Sequence, residues 1–393
     1  MIKTVEKIPN LYEPLRGIKV VEVAQGVAGP HCGKILAGLG AEVLKVELPP
    51  EGDWSRKFGP MIPCENELES SALFLHNNTG KKSVVMDWTN KEGFVNLQNL
   101  INKSDILIED WDLKARESLK ISKDFFVKQN PNLIDMSVTP FGLSGPYSTY
   151  KSTPMILFAL GGFMNIMGFP DKKPIMLPGF QADYVTGINA NNAIQIALWE
   201  RDSISNKGQF LELSMIETLI NLHQAPFQMD HGGNRQRMGH RQSALSARGF
   251  PPGVSSVPAE DGYLTFGGGS HPIFETLCLM LGRPELIETE EFQNVFKNPE
   301  SGELMDKYMT DWMKGKTKQE VFIEVSTQWL LPVSPINTIR DILEDEQFNH
   351  KNAFQEIDHP IVGLAKYARL PFSINNKKLN IKRAPLLGEN SNE

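Results

Sequence analysis

The stretch Ile18–Glu47 constrains this chain most. Ile18–Val23 is rich in Val and Ile and reads as a strand. Gln25-Gly26-Val27-Ala28-Gly29-Pro30 reads as a turn. Lys34, Ile35, Leu36 and Leu39 mark a helix that Gly40 closes, because glycine accepts the left-handed conformation past a helix end. Ala41–Glu47 is a second strand. Strand, turn, helix and strand in this order form a parallel crossover unit. The turn lacks the G-x-G-x-x-G pattern, so it is a weak dinucleotide fingerprint. Its amides nevertheless suit a ligand held at a helix start.

The alternation continues. Strands are expected at Val84–Met86, Asp105–Glu109 and Leu133–Val138, with helices at Lys91–Ile101 and Lys123–Gln129. This predicts an α/β fold built on a doubly wound, Rossmann-like parallel sheet. Such sheets bind ligands beyond the carboxyl ends of their strands. The polar residues just past those ends are Gln25, Asp110, Trp111 and the Thr139–Gly145 loop. A mostly apolar helix is expected over Met155–Met167, broken at Gly161-Gly162. A strand is expected at Phe210–Leu213 and a helix at Met215–His223.

Pro178–Trp199 carries the best candidate for chemistry. Val185, Ile188, Ile196 and Trp199 recur at helical spacing, and Ala190, Ile194 and Ala197 fill a second stripe. A helix apolar on two sides is expected to be buried. Asp183 stands at its entrance, where it reads as an N-cap or as a reactive carboxylate beside the core. A helix N-terminus there would favour the ionised form.

The chain is long enough, at 393 residues, for two or three domains. Residues 229 to 256 are polar and turn-rich, and Leu331–Pro335 is proline-rich. The expected division is 1–225 as the first part of a large domain, 226–330 as a smaller α+β domain, and 331–393 as linker and return to the large domain. A net charge of −7 speaks against nucleic-acid binding. The opening residues carry no secretory signal, no apolar run is long enough to cross a bilayer, and the three cysteines lie far apart. A cytoplasmic enzyme with no membrane association is expected. There is no H-E-x-x-H, Walker A or G-x-S-x-G pattern, and no metal site is expected. Gly267-Gly268-Gly269 reads as a permissive loop or an acyl cradle.

These segments together resemble the class III CoA-transferase family, the group of formyl-CoA transferase and carnitine CoA-transferase. The resemblance rests on Pro14–Glu47, Asn77–Ser83, Asp105–Glu109, Thr139–Tyr147, Gln181–Gly187 and Arg383–Glu389, in order along nearly the whole chain. It implies an interlocked homodimer, with each large domain built from both chain ends. It implies coenzyme A and acyl-CoA as substrates, carboxylic acids as partners, and no tightly bound cofactor. Asp183 falls at the family's nucleophile. Gln25, Gly26, Val27 and Ala28 fall at the turn that meets CoA, and Lys81, Asp110, Trp111, Arg116 and Met215 at or beside further CoA contacts. The chain departs from the family at Leu48 and Ser118, where some members have arginine, and lacks the mobile glycine loop near Pro251-Pro252-Gly253.

The resemblance implies that Asp183 attacks a thioester, passing through an anhydride and an aspartyl-CoA. Amides of the Gln25–Gly29 turn and of Gly267–Gly269, with the Gln25 side chain, are the expected oxyanion donors. Two alternatives stand beside this reading. One is an acyl-CoA racemase on the same fold, which would need a second titratable group such as His31 or Glu217. Lys151–Ile156 holds neither the His nor the Asp of the racemase motif, which favours transfer. The other is a non-catalytic CoA-binding protein.

Overall fold

The computed structural model describes residues 12–167, 173–223, 256–267, 271–290 and 299–392. They form two compact units. The first draws on Met1–Gly161, Leu177–Gln224 and Glu346–Glu393, the second on Gly162–Met176 and Ala225–Asp345.

The first unit is organised on six parallel strands. In chain order its elements are β1 (Lys19–Glu22), α1 (Ala28–Gly38), β2 (Glu42–Glu47), α2 (Ala72–Asn77), β3 (Lys82–Val85), α3 (Lys91–Ile101), β4 (Ile106–Glu109), α4 (Leu113–Leu119), α5 (Phe125–Gln129), β5 (Ile134–Thr139) and α6 (Pro154–Leu160). After α7 (Phe163–Ile166), which belongs to the second unit, come α8 (Gln181–Glu200), β6 (Gln209–Ser214) and α9 (Met215–Asn221). The sheet order is β3-β2-β1-β4-β5-β6, so chain direction across the sheet reverses between β1 and β4. β4 and β5 are buried throughout, the expected state of central strands covered on both faces.

Several short elements were not legible in the sequence. α2 and α4 are each a turn or two long, and Ser71 and Asp112 cap them through Phe74 N–H and Ala115 N–H. The expected apolar helix over Met155–Met167 is two helices, with left-handed Gly162 between them. The returning C-terminal segment forms an antiparallel hairpin, Phe354–His359 with Gly363–Ala368. It then locks onto the β3 edge: Gly80 N–H donates to Arg383 O at 3.0 Å and Ser83 N–H to Asn390 Oδ1 at 3.1 Å.

The second unit holds a three-stranded antiparallel sheet of Val257–Ala259, Gly262–Phe266 and Val333–Pro335. Its core gathers Leu264, Phe266, Phe274, Leu277 and the methionines 305, 309 and 313.

One expectation fails on α8. Ala190, Ile194, Ala197 and Leu198 are buried, but Ile188, Ile196 and Trp199 are 45%, 68% and 62% exposed. The stripe of Ala190, Ile194 and Ala197 packs in this unit; Ile188, Ile196 and Trp199 of the other stripe face outward.

Candidate active site

A cavity of about 550 Å³ opens beyond the carboxyl ends of β1, β4, β5 and β6, at the place where strand order reverses. Gln25, Val27 and Ala28 reach it from the turn after β1, and Asp110 and Trp111 from the end of β4. Thr139 and Met215 reach it from β5 and the start of α9, and Asp183 from α8. Seven residues expected at the site therefore meet in one place: Gln25, Val27, Ala28, Asp110, Trp111, Asp183 and Met215.

Asp183 lies in the first turn of α8, whose N-cap is Phe180 with no capping side chain. It is thus not the helix cap. α8 crosses α1 at close range, and Gly187 makes this possible: a Cβ there would lie 2.6 Å from Ala28 O and 3.0 Å from His31 Cβ. The crossing brings Asp183 beside the start of α1. Its Oδ2 is buried without a hydrogen-bond partner among the described residues. Burial pushes its carboxyl up to about 7, against the small pull of its own backbone amide. The expected helix-dipole gain for the ionised form is outweighed by lost hydration.

The turn after β1 is arranged differently from the expectation. Gln25 N–H donates to Asp110 Oδ2 at 2.9 Å, and Gly26 N–H to both oxygens of Asp53 at 2.9 and 3.0 Å. Those two amides are taken and cannot serve an oxyanion. α1 then starts at Ala28 with no side-chain cap and no acidic residue in its first turn, so its first amides and its dipole are left for the cavity. Gly26 itself does not line the cavity; it has φ +76°, and the Trp54 ring fills the space a Cβ would need.

Two expected CoA contacts are placed elsewhere. Lys81 is fully buried beneath the sheet edge, donating to Glu22 Oε1 and Oε2 at 2.9 and 2.8 Å, to Pro30 O at 2.8 Å and to Asn78 Oδ1 at 2.9 Å. Arg116 is buried against Glu109, with its guanidinium over the Phe210 ring. Both cations have internal carboxylate partners and neither lines the cavity. His31 and Glu217 do not line it either. His31 packs edge-on against Tyr184 at 4.9 Å, and burial lowers its pKa to about 4, which keeps it neutral.

Trp54 also lines the cavity and no sequence signal marked it. It sits in an irregular loop, against Phe58 at 5.7 Å and Phe180 at 6.1 Å. Gly267 N–H is used within the second unit, donating to Pro332 O at 2.7 Å. Gly268, Gly269, the polar segment 229–255 and Pro251-Pro252-Gly253 lie outside the described residues. Among the described residues, no group of three or more His, Cys, Asp or Glu is placed to hold a metal ion. No described helix is long and apolar enough to cross a membrane.

Comparison with known proteins bears on the family and the fold. The family model described as CoA-transferase family III matches residues 15–391. The chain is 29% identical to a succinate–glutarate CoA-transferase of Agrobacterium fabrum, over 97% of this chain and 95% of that protein. It is 30% identical to the alpha subunit of a succinyl-CoA–L-malate CoA-transferase of Chloroflexus aurantiacus, over 89% of this chain and 80% of that one. It is 27% identical to a formyl-CoA:oxalate CoA-transferase of Bradyrhizobium diazoefficiens, over 96% and 92%. Among solved structures, a CAIB/BAIF family protein from Brucella suis superposes with a TM-score of 0.83 at 29% identity, covering 97% of this chain and 98% of that one.

Proposed function

The chain belongs to CoA-transferase family III, and from that premise we propose that it moves CoA from an acyl-CoA to a free carboxylic acid through covalent intermediates on Asp183. The observation that carries this reading is Asp183 itself. It is a carboxylate on the wall of a cavity at the sheet's switch point, with one oxygen left without a partner.

Transfer between two carboxylates needs a group that can attack and later leave, which a carboxylate does. An Asp183 oxygen attacks the donor's thioester carbonyl. The C–S bond breaks and its electron pair leaves on CoA thiolate, giving an acyl-aspartyl anhydride. The thiolate then attacks the aspartyl carbonyl. The anhydride C–O bond breaks, the donor acid leaves as carboxylate, and aspartyl-CoA remains. The acceptor carboxylate attacks this thioester, expelling thiolate and forming a second anhydride. The thiolate attacks its acceptor carbonyl, which frees the new acyl-CoA and restores Asp183. No net proton moves at any step.

Each attack builds an oxyanion. The uncapped start of α1 and the Gln25 side chain are the donors we assign to it. Among the residues brought by the resemblance, Asp110, Trp111 and Met215 stand where the CoA moiety would lie, since all three line the cavity. The exposed Ile188, Ile196 and Trp199 stripe supports an obligate homodimer, because that much apolar surface along one helix suits a subunit contact. In that dimer, residues 1–225 and 331–393 would supply the large domain and 226–330 the small one.

The test is isotope transfer. The protein is incubated with an acyl-CoA and labelled free acids; succinate, glutarate, L-malate and oxalate, named for its relatives, head the screen. Label entering the thioester, with a hydroxylamine- or borohydride-trapped adduct at residue 183, is the expected result. Exchange of the α-proton without label transfer would mean a racemase, and undiminished transfer by Asp183→Ala would remove Asp183 from the mechanism.

A further inference from the structure

Beneath the turn after β1 runs a ladder of buried charges that alternate in sign. Lys81 Nζ meets Glu22 at 2.8 Å, Glu22 meets Lys45 Nζ at 3.0 Å, and Lys45 Nζ meets Asp53 Oδ2 at 2.7 Å. All four side chains are at most 1% exposed. Asp53 stands at the upper end. It is the member that bonds the turn, taking Gly26 N–H on both oxygens, and it also accepts Ser55 N–H at 2.8 Å. Lys45 adds a bond to Ala24 O at 3.0 Å. The neighbouring ion pairs of Arg56 with Glu47 and Glu69 tie the loop after β2 to Leu68 and the C-terminal return instead.

We propose that Asp53 is a positioning residue for CoA transfer: its carboxylate holds Gly26 and Trp54 so that Gln25 and the open start of α1 face the reacting carbonyl. Asp53 does not line the cavity, whereas its neighbour Trp54 and both flanks of Gly26 do. Gly26 is left-handed, and a glycine turn has many other conformations to visit when its amide is released. Asp53 also opens the short helical turn Trp54–Lys57 as its capping residue, and this sets the direction in which Trp54 leaves the backbone. One carboxylate therefore holds both the cavity's turn and the residue whose ring lines it. Donors aimed in advance at a developing oxyanion act only while they stay aimed.

This inference rests on the transferase reading, and its test separates the two. Asp53→Asn alone would leave Lys45 short of a counter-charge, so the charge pair is removed together. Lys45→Met/Asp53→Asn keeps an acceptor for Gly26, and Lys45→Met/Asp53→Ala has none. Lys81 still neutralises Glu22 in both. Two readouts are taken: label transfer from acyl-CoA, and deuterium exchange of the peptide containing Gln25–Gly29 in the free protein.

The asparagine variant is expected to keep kcat within about threefold, and the alanine variant to lose it by about 10- to 100-fold with a smaller change in KM. Exchange at Gln25–Gly29 should rise only in the alanine variant, at equal melting temperature. Equal kcat and equal exchange in the two variants would overturn the proposal. So would an alanine variant that no longer folds, which would make Asp53 part of the scaffold. If the wild-type chain transfers no label, the proposed function fails, and the exchange comparison still decides the role of Asp53 in holding the turn.

Discussion

The first unit treats two inward-facing aspartates, Asp53 and Asp183, oppositely. In the ladder of Lys81, Glu22, Lys45 and Asp53, each charge faces an opposite one, and Asp53 accepts amides as well. Its pKa is held below the usual carboxylate range, because Lys45 and these amides together outweigh its burial. Asp183 is equally an aspartate, but among the described residues no cation shifts its pKa, and burial drives its carboxyl up to about 7. A buried charge with partners is scaffolding, since removing one partner leaves the other stranded. A poorly hydrated carboxylate with an unpaired oxygen is what the proposed covalent chemistry at Asp183 calls for. The protein spends stability at one position and recovers rigidity from the other.

The comparison can be broken most severely at Asp183. Asp183→Asn should cut label transfer by about 10⁴-fold or more, as loss of a covalent nucleophile does. The sign of its stability effect is opposite to that of a ladder residue. The folded pKa of Asp183 is raised, so the native state holds an extra proton between pH 4 and 7 and its stability falls as pH rises through that window. At pH 8 the asparagine variant should be more stable than wild type by about 2 kcal/mol in urea unfolding. Equal or lower stability would mean that Asp183 is solvated after all.

Lys81→Met should act in reverse. It leaves Glu22 and Asp53 to share the single charge of Lys45 in the interior and is expected to cost about 3 kcal/mol in the same unfolding experiment. Loss of CoA affinity at unchanged stability would instead return Lys81 to the role of a phosphate contact.

Gly187→Ala tests how the two regions are brought together. Its Cβ would press on Ala28 O, so α8 must shift from α1. A cost of about 1–3 kcal/mol and a fall in kcat are expected together. The pH profile is gentler. If Asp183 is the nucleophile proposed, the rate should rise by about tenfold per pH unit below pH 7 and flatten above it, since that reaction needs its ionised form. A profile flat from pH 5 to 8 would contradict the raised pKa. The smallest effect belongs to the surface: the pair of Lys57 and Glu51 is half exposed on both sides. Glu51→Gln should change stability by less than about 0.5 kcal/mol.

Much of this was legible in the residues. The strands of the parallel sheet stand within a residue or two of where Val- and Ile-rich runs placed them, because a strand covered on both faces must be apolar. The amphipathic helix Lys91–Ile101 ends where its pattern ends. Gln25 and Asp110 follow strand ends and Thr139 ends one, and a parallel sheet brings such positions to one edge whatever lies between them. The short helices α2 and α4 escaped notice, since one or two turns show no periodicity and their caps look like ordinary Ser and Asp. Trp54 escaped because a single helical turn in a long loop leaves no periodic pattern.

The sequence by itself determined the α/β sheet, the family and the aspartate at the start of α8, since each is written in local pattern or in motifs along the chain. It could not say which charges would meet. Lys81 and Arg116 have the composition of anion contacts, yet Lys81 lies against Glu22 on a distant strand and Arg116 against Glu109 at the end of the strand before its own helix. It could not give the state of Asp183 either. The helix start beside it argued for an ordinary, ionised carboxylate, and the packing of α8 on α1 raised its pKa by removing water. Charge pairing and hydration depend on what surrounds a group in three dimensions, and that surrounding is assembled from segments the sequence keeps far apart.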